Sequence, residues 1–280
     1  MTKRCTFVDV FAEHPFAGNP LAVIHDADGL DEAAMRAITR WFDFSETAFL
    51  LEPTAPGADY RVRIFTPFGE LPFAGHPTLG TCRAWLQAGG RPRAAGSVVQ
   101  ECAAGLVTVR VDDDALAFAA PPLVRSGPVD EATIAELIGV LRIPREAIVS
   151  AAWADNGPGW VALLLASAEA VLALEPARDH ARPVFVGVIG PYGNTSGPAY
   201  EVRAFFSDQH GAVREDPVTG SFNASAAQWM LATDRVAAPF TACQGQRLGR
   251  DGRVRIDVDG RGTVWVAGHA RVLVEGDISA

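Results

Sequence analysis

Hydrophobic and polar positions alternate in short runs over most of the chain, and this period of two predicts many β-strands. Four segments instead repeat their apolar residues every three or four positions, which is typical of amphipathic helices. Few helices among many short strands predict an α+β fold with a mostly antiparallel sheet. The predicted helices are 31–41, 77–86, 129–140 and 221–231. The predicted strands are 6–11, 21–25, 46–51, 60–66, 98–100, 106–111, 115–119, 148–154, 160–165, 184–189, 200–206, 254–258, 263–268 and 271–275.

An internal repeat relates the two halves of the chain. The strand at 62–65, the glycine-bearing loop after it and the following helix recur as a strand at 202–205, a second such loop and a second helix. A repeat of this size indicates two pseudo-symmetric domains. A proline-rich linker begins at residue 121. The predicted domains are 1–120, joined by the C-terminal strand at about 268–280, and 121–267.

Composition excludes several classes of function. The 280 residues are 49% hydrophobic and 20% charged, which is typical of a globular protein. The formal charge of −9 and the lack of a basic patch argue against nucleic-acid binding. No run of about 18 apolar residues predicts a transmembrane helix, and no apolar signal core follows the N-terminus, so we expect a cytoplasmic protein without membrane contact. Four scattered cysteines without paired motifs predict neither a disulfide framework nor a structural metal site.

Three windows hold candidate chemistry. Glu46 stands between Phe44 and an apolar run, and burial of a carboxyl group there suits proton transfer near neutral pH. A solvated glutamate at a strand start is the alternative. His76 lies where a glycine-bearing loop becomes a helix, so it either relays a proton beside free backbone N–H groups or caps the helix.

The third window repeats this arrangement in the second half. It carries Asp216, Gly220 and Ser221 before the last predicted helix. Ser221 suits a helix N-cap by residue type, and Asp216 either orients a ligand or shapes the turn. If the two helix N-termini face one cleft, they favour a small carboxylated substrate.

Together these windows resemble the PhzF family, the phenazine-biosynthesis-like isomerases with the diaminopimelate epimerase fold. The resemblance covers nearly the whole chain, and its specificity lies in the order and spacing of the motifs. The matching segments are residues 8–11, 15–23, 45–47, 75–78, 215–221, 244–245 and 249–254.

The resemblance implies two similar domains, each a mostly antiparallel sheet wrapped around a central helix, with the active site between them and a homodimer as the usual assembly. Related racemases and epimerases use two cysteines as acid and base. Gly75 and Gly220 occupy the corresponding windows here, and Cys82 lies seven residues beyond Gly75, so a two-thiol mechanism is not expected.

The resemblance also implies roles for individual residues. Glu46 corresponds to the glutamate that moves the proton. The polar residues that support it correspond to His76, Asp216 and Ser221, and Asn19 corresponds to a substrate contact, although a turn asparagine is the alternative. Ser45 adjoins Glu46 in its motif, and the backbone N–H groups at Gly75 and Gly220 are expected to bind the substrate carboxylate.

The expected function is therefore an isomerase that shifts a double bond by intramolecular proton transfer in a small carboxylated, cyclic amino acid-like metabolite, without a cofactor or metal. Two alternatives stay open. One is an amino-acid epimerase with non-thiol acid and base groups, and the other is a non-catalytic small-molecule binding protein on the same fold.

Overall fold

A computed structural model describes residues 2–112, 115–193, 196–208 and 210–279. The chain divides into two compact units. The first unit is Met1–Ala119 with Ala267–Ala280, and the second unit is Ala120–Val266.

Strands dominate both units, and the helices are few. In the first unit the elements are β1 (Thr2–Val10), β2 (Asn19–Ile24), α1 (Glu32–Phe42), β3 (Thr47–Leu51), β4 (Tyr60–Thr66), β5 (Gly69–Leu71), α2 (Gly75–Gln87), β6 (Ser97–Cys102), β7 (Gly105–Asp112) and β8 (Ala115–Ala119). The remaining elements are β9 (Arg125–Gly127), α3 (Glu131–Leu141), β10 (Ser150–Asp155), β11 (Val161–Leu164), α4 (Ala168–Leu172), β12 (Phe185–Pro191), β13 (Tyr200–Ser207), β14 (Val213–Asp216), α5 (Gly220–Ala232), β15 (Phe240–Gln244), β16 (Gly252–Val258) and β17 (Val264–Ser279).

The pairing of the strands repeats between the units. In the first unit β2 runs parallel to β3, β3 and β4 are antiparallel, and β4 is parallel to β6. In the second unit β11 runs parallel to β12, β12 and β13 are antiparallel, and β13 is parallel to β15. The hairpins β4–β5 and β13–β14 directly precede α2 and α5. The same order and pairing of elements therefore occurs twice in the chain.

Side chains near both ends of α1 stabilise this helix. Asp31 caps the N-terminus by accepting a hydrogen bond from the Ala34 N–H at 2.8 Å. Glu32 in the first turn and Arg40 in the last turn both complement the helix dipole. Asp43 ends the helix in the left-handed conformation, with φ of 52°.

Helix α2 is buried along most of its length and contacts β1, β2, β3, β6, β7 and β8. Helix α1 also packs against β3 and β4, and its Met35 shares one apolar core with Phe49 and Phe65. Strand β3 is therefore covered on both faces, which explains its nearly continuous apolar run in place of an alternating pattern.

Helix α5 occupies the matching position in the second unit. Phe222, Ala226 and Met230 pack in one apolar core with residues of β10, β11, β12, β13 and β15. A second core lies under α3 and α4 and includes Leu137, Val171 and Phe205.

Several sequence-based boundaries need correction. The predicted strands 263–268 and 271–275 are one strand, β17, because His269 and Ala270 continue the ladder with β1. The segment 121–128 is only partly a linker, since β9 pairs with β10. Asp216 lies at the end of a strand, β14, where the sequence suggested a loop.

Candidate active site

Glu46 and His76 form a close pair in the first unit. Glu46 directly precedes β3, and His76 is the second residue of α2, which packs against β3. Glu46 Oε2 lies 3.0 Å from His76 Nδ1. The carboxylate is 17% exposed, whereas the histidine side chain is only 3% exposed. The fold therefore places an acid and a base in direct contact at a partly accessible position.

Both members of this pair keep unused hydrogen-bonding capacity. Glu46 Oε2 is close to the ring nitrogen but not aligned for a hydrogen bond, and within the described residues it has no other partner. Among the described residues, His76 Nε2 also has no hydrogen-bond partner, although it is buried. A buried polar group without a partner costs about 1–3 kcal/mol. A ligand that bonds these atoms would remove that cost.

The N-terminus of α2 is not capped by a side chain. Its N-cap is Ala74, so the alternative in which His76 caps the helix is wrong. Pro77 has no N–H, which leaves the N–H groups of Gly75 and His76 at the positive end of the helix dipole. These two groups can bind an anion.

Asn19 and Ser45 lie near the same end of the sheet as Glu46. Asn19 is the fully buried first residue of β2, and β2 is the parallel neighbour of β3. Ser45 is half-buried and immediately precedes Glu46. Asn19 thus begins one strand, and Ser45 lies just before the start of the adjacent strand.

In the second unit, Asp216 is fixed by a hydrogen-bond network. Thr219 Oγ1 donates to Asp216 Oδ2 at 2.6 Å. The Gln244 side chain accepts from the Thr219 N–H at 3.0 Å and donates to the Asp216 carbonyl at 3.0 Å. Asn223 Nδ2 also donates to Gln244 Oε1, at 2.8 Å. This network holds the short connection between β14 and α5 in one conformation.

Ser221 does not have the role that its residue type suggested. The N-cap of α5 is Thr219, Gly220 is the first helical residue, and Ser221 is the second. Ser221 Oγ accepts a hydrogen bond from Trp160 Nε1 at 3.1 Å. Like α2, α5 has no side-chain hydrogen bond at its cap, so the N–H groups of Gly220 and Ser221 lie at an uncapped helix N-terminus.

Two buried glutamines to which the sequence analysis assigned no role support the helix starts. Gln100 of β6 donates to Thr78 Oγ1 in the first turn of α2 at 3.0 Å, and Gln244 of β15 bonds the equivalent turn of α5. Each glutamine is fully buried. Their signal in the sequence is a polar residue at an inward-facing strand position, and it becomes informative only when the strand pairing is known.

The thiols are poorly suited to acid–base chemistry. Burial raises the pKa of Cys82 and of Cys243 to about 12, and the pKa of Cys5 to about 11. Cys82 has no exposed surface and lies along α2, away from its first turn. Within the described part of the chain, no group of three or more His, Cys, Asp or Glu side chains could hold a metal ion. No helix among the described residues is long and apolar enough to span a membrane.

Comparison with known proteins decides the family. The family model described as "Phenazine biosynthesis-like protein" matches residues 8–276. The chain belongs to the phenazine biosynthesis-like family. The resemblance drawn from the motifs is thereby confirmed. Three residues of these motifs are Glu46 and His76, which contact each other in the first unit, and Asp216, which lies in the hydrogen-bond network of the second unit.

Similar proteins match the chain over nearly its whole length. The trans-2,3-dihydro-3-hydroxyanthranilate isomerase of Pseudomonas aeruginosa is 31% identical over 98% of this chain and 98% of its own length. Antisense-enhancing sequence 1 of Schizosaccharomyces pombe is 34% identical over 96% of each chain. The crystal structure of a PhzF-family protein from Enterococcus faecalis superposes with a TM-score of 0.79 at 25% identity and covers 100% of both chains.

Proposed function

We propose that this phenazine biosynthesis-like protein is an isomerase that moves a double bond by proton transfer through Glu46. The observation that carries the proposal is the contact between Glu46 and His76, 3.0 Å apart and both short of hydrogen-bond partners. The isomerase name of the Pseudomonas relative supports the same reaction class.

In this proposal Glu46 acts first as a base and then as an acid. Its carboxylate takes a proton from a carbon next to unsaturation, and the electron pair of the C–H bond enters the conjugated system. The resulting carboxylic acid returns the proton to another carbon of that system, so the product is an isomer and no atom is gained or lost. A single positioned carboxyl group can serve both steps, and neither step requires a redox or metal cofactor.

The surrounding groups would bind and orient the substrate. We assign the substrate carboxylate to the N–H groups of Gly75 and Gly220 and their neighbours at the helix N-termini. His76 and Asp216 would bind amino or hydroxyl groups, with Asn19, Ser45 and Ser221 as further contacts. We propose a cyclic amino acid-like carboxylate as the substrate class, since the substrate named for the relative is a dihydro-hydroxyanthranilate.

The assembly and the domain arrangement belong to the same proposal. The homodimer, the active site shared by two pseudo-symmetric domains and the wrapping of each sheet around its central helix stay predictions from the resemblance. Light scattering of the purified protein measures its mass in solution and so tests the predicted homodimer.

A deuterium-transfer experiment tests the reaction. Trans-2,3-dihydro-3-hydroxyanthranilate deuterated at its saturated ring carbons is incubated with the enzyme, and the product is analysed by NMR. We expect part of the label at a new carbon, because Glu46 returns some of the abstracted deuterium before it exchanges with water. Loss of the deuterium to solvent hydrogen at the original carbon, with inverted configuration and no shift of the double bond, would instead identify an epimerase with a second base.

A further inference from the structure

Asn156 is held against the first turn of α5 by the turn that joins β10 to β11. Asp155 Oδ1 accepts hydrogen bonds from the N–H groups of Gly157 at 2.7 Å and Gly159 at 2.6 Å, which fixes the turn. Asn156 Nδ2 then donates to the carbonyl of Ser221 at 2.9 Å. The asparagine therefore lies beside a residue that already belongs to the proposed substrate site.

The amide oxygen of the same side chain, Oδ1, takes no part in this contact. Asn156 Oδ1 is buried and has no hydrogen-bond partner in the described ranges of the chain. The orientation of the amide is fixed because the Ser221 carbonyl can only accept, so the amide must present its NH₂ group there. A buried acceptor without a donor is unfavourable, and a bound ligand with an O–H or N–H group would satisfy it.

Ser221 indicates which ligand group fits. Its Oγ accepts from Trp160 Nε1 at 3.1 Å, so its own O–H is available to donate. An acceptor at Asn156 and a donor at Ser221 suit a group that both donates and accepts. A hydroxyl group does both, whereas a protonated amine only donates.

The equivalent hairpin of the first unit carries an asparagine as well. In the turn between β1 and β2, Asp9 accepts from the N–H groups of Ala17 and Gly18, as Asp155 does in the second unit. The residue after Gly18 is Asn19, which the family resemblance places at the substrate. Each half of the chain thus places one asparagine on an aspartate-clamped hairpin that adjoins its buried helix.

We infer that Asn156 is a substrate-binding residue whose Oδ1 accepts a hydrogen bond from a hydroxyl group of the substrate. This inference rests on the proposed function, because it takes its ligand from the same class of hydroxylated cyclic carboxylates. It adds a specificity determinant: the residue favours substrates with a hydroxyl group over those without one.

Binding of two aromatic analogues to two proteins tests the inference. Calorimetry measures the Kd of 3-hydroxyanthranilate and of anthranilate, which lacks only the hydroxyl group, for the wild type and for Asn156→Ala. We expect the wild type to prefer 3-hydroxyanthranilate by about 3- to 10-fold, the effect of one hydrogen bond. Asn156→Ala should lose this preference while its Kd for anthranilate changes by less than about 2-fold.

A conservative variant separates binding from folding. Asn156→Asp keeps an acceptor oxygen and loses the donor to Ser221, so it should retain the hydroxyl preference even if both ligands bind more weakly. Thermal unfolding reports whether either variant is folded.

Three outcomes overturn the inference, and they differ in their meaning. Equal binding of the two analogues by the wild type, or a hydroxyl preference that survives in Asn156→Ala, removes the role of Asn156 and leaves the proposed function intact. Failure of the wild type to bind either analogue overturns the proposed substrate class and the inference with it.

Discussion

Phe118 occupies the space into which a side chain on residue 75 would project. A Cβ atom on Gly75 would lie 2.4 Å from Cζ of the Phe118 ring, which is far inside van der Waals contact. The family resemblance predicts that Gly75 lies in the window in which related racemases carry a cysteine. The packing of β8 against the start of α2 therefore leaves no room for a side chain at residue 75.

We expect Gly75→Ala to lower the free energy of unfolding by about 1–3 kcal/mol, the usual cost of overpacking a core. Urea unfolding measures this change. Gly139→Ala is the matched control, since Gly139 lies within α3 with open space around its Cβ position. That control should be neutral or more stable by up to about 1 kcal/mol, because alanine favours helix. Equal stability of Gly75→Ala and the wild type would contradict the packing described here.

Replacement of Glu46 by glutamine should abolish most of the activity and preserve binding. The amide keeps the size of the side chain but cannot carry the proton, so turnover should fall by about 10²–10⁴-fold. Steady-state kinetics with trans-2,3-dihydro-3-hydroxyanthranilate and calorimetry with 3-hydroxyanthranilate measure the two effects. Glu146→Gln, at an exposed position of the second unit, serves as the control. Near-normal turnover in Glu46→Gln would rule out the proposed proton carrier.

Alkylating reagents should leave the native protein active. Since burial raises the pKa of Cys82 and Cys243 to about 12, roughly one thiol in 10,000 is ionised at pH 8, and only the thiolate reacts. Burial also raises the pKa of Cys102, the one cysteine of the four that is not fully buried. Mass spectrometry after iodoacetamide treatment should show slow labelling of the native protein and four labelled cysteines after denaturation. Rapid inactivation traced to one cysteine would favour a thiol mechanism.

Glu201 should make the stability of the protein depend on pH. The side chain is fully buried in β13, where Oε2 accepts from the Tyr192 hydroxyl at 2.5 Å and from Gln246 Nε2 at 2.9 Å. Burial raises the pKa of its carboxyl group to about 7 from an ordinary value of 4.5. The folded protein therefore holds this proton at pH values where the unfolded chain has lost it.

As the pH rises from about 4.5 to 7, this group lowers the free energy of unfolding, by roughly 3 kcal/mol in total, and the loss levels off above pH 7. Glu201→Gln cannot ionise and should lack this contribution. Urea unfolding of both proteins between pH 4.5 and 8 should thus show a difference that grows in favour of the variant as the pH rises. A constant difference across this range would show that Glu201 ionises in the folded protein as it does in the unfolded chain.

Local sequence signals were sufficient for most elements but not for all boundaries. The predicted strand at 60–66 agrees with β4, and Asp31 marks the start of α1 as an N-cap should. The start of α2 lies two residues before the predicted one, because Gly75 and His76 become helical when their turn packs into the core. Strand β14 was missed because its pairing with β13, and not its short sequence, defines it.

The motifs at Glu46, His76 and Asp216 were visible in the sequence, since their residue types and spacing identify the family by themselves. The sequence did not show which side chain each of these residues contacts. Contact between Glu46 and His76 requires β3 and α2 to pack together. The N-cap of α5 is Thr219, whose hydroxyl donates to Asp216, and not the serine that local propensity favoured. Gln100 and Asn156 were missed, and Gln244 was noted only as part of a family motif, because single polar residues in strands or turns carry no local signal.

The sequence by itself determined the family, the α+β composition and the residue types available for proton transfer, because periodicity and motif spacing are local properties of the chain. Tertiary structure alone decided which polar atoms meet and which stay unpaired. Hydrogen bonds across the fold, such as the one from Asn156 to Ser221, depend on packing between segments that are distant in sequence. The same packing leaves Asn156 Oδ1 and His76 Nε2 buried without a donor or acceptor in the described residues, and those atoms are the most specific guide to the ligand.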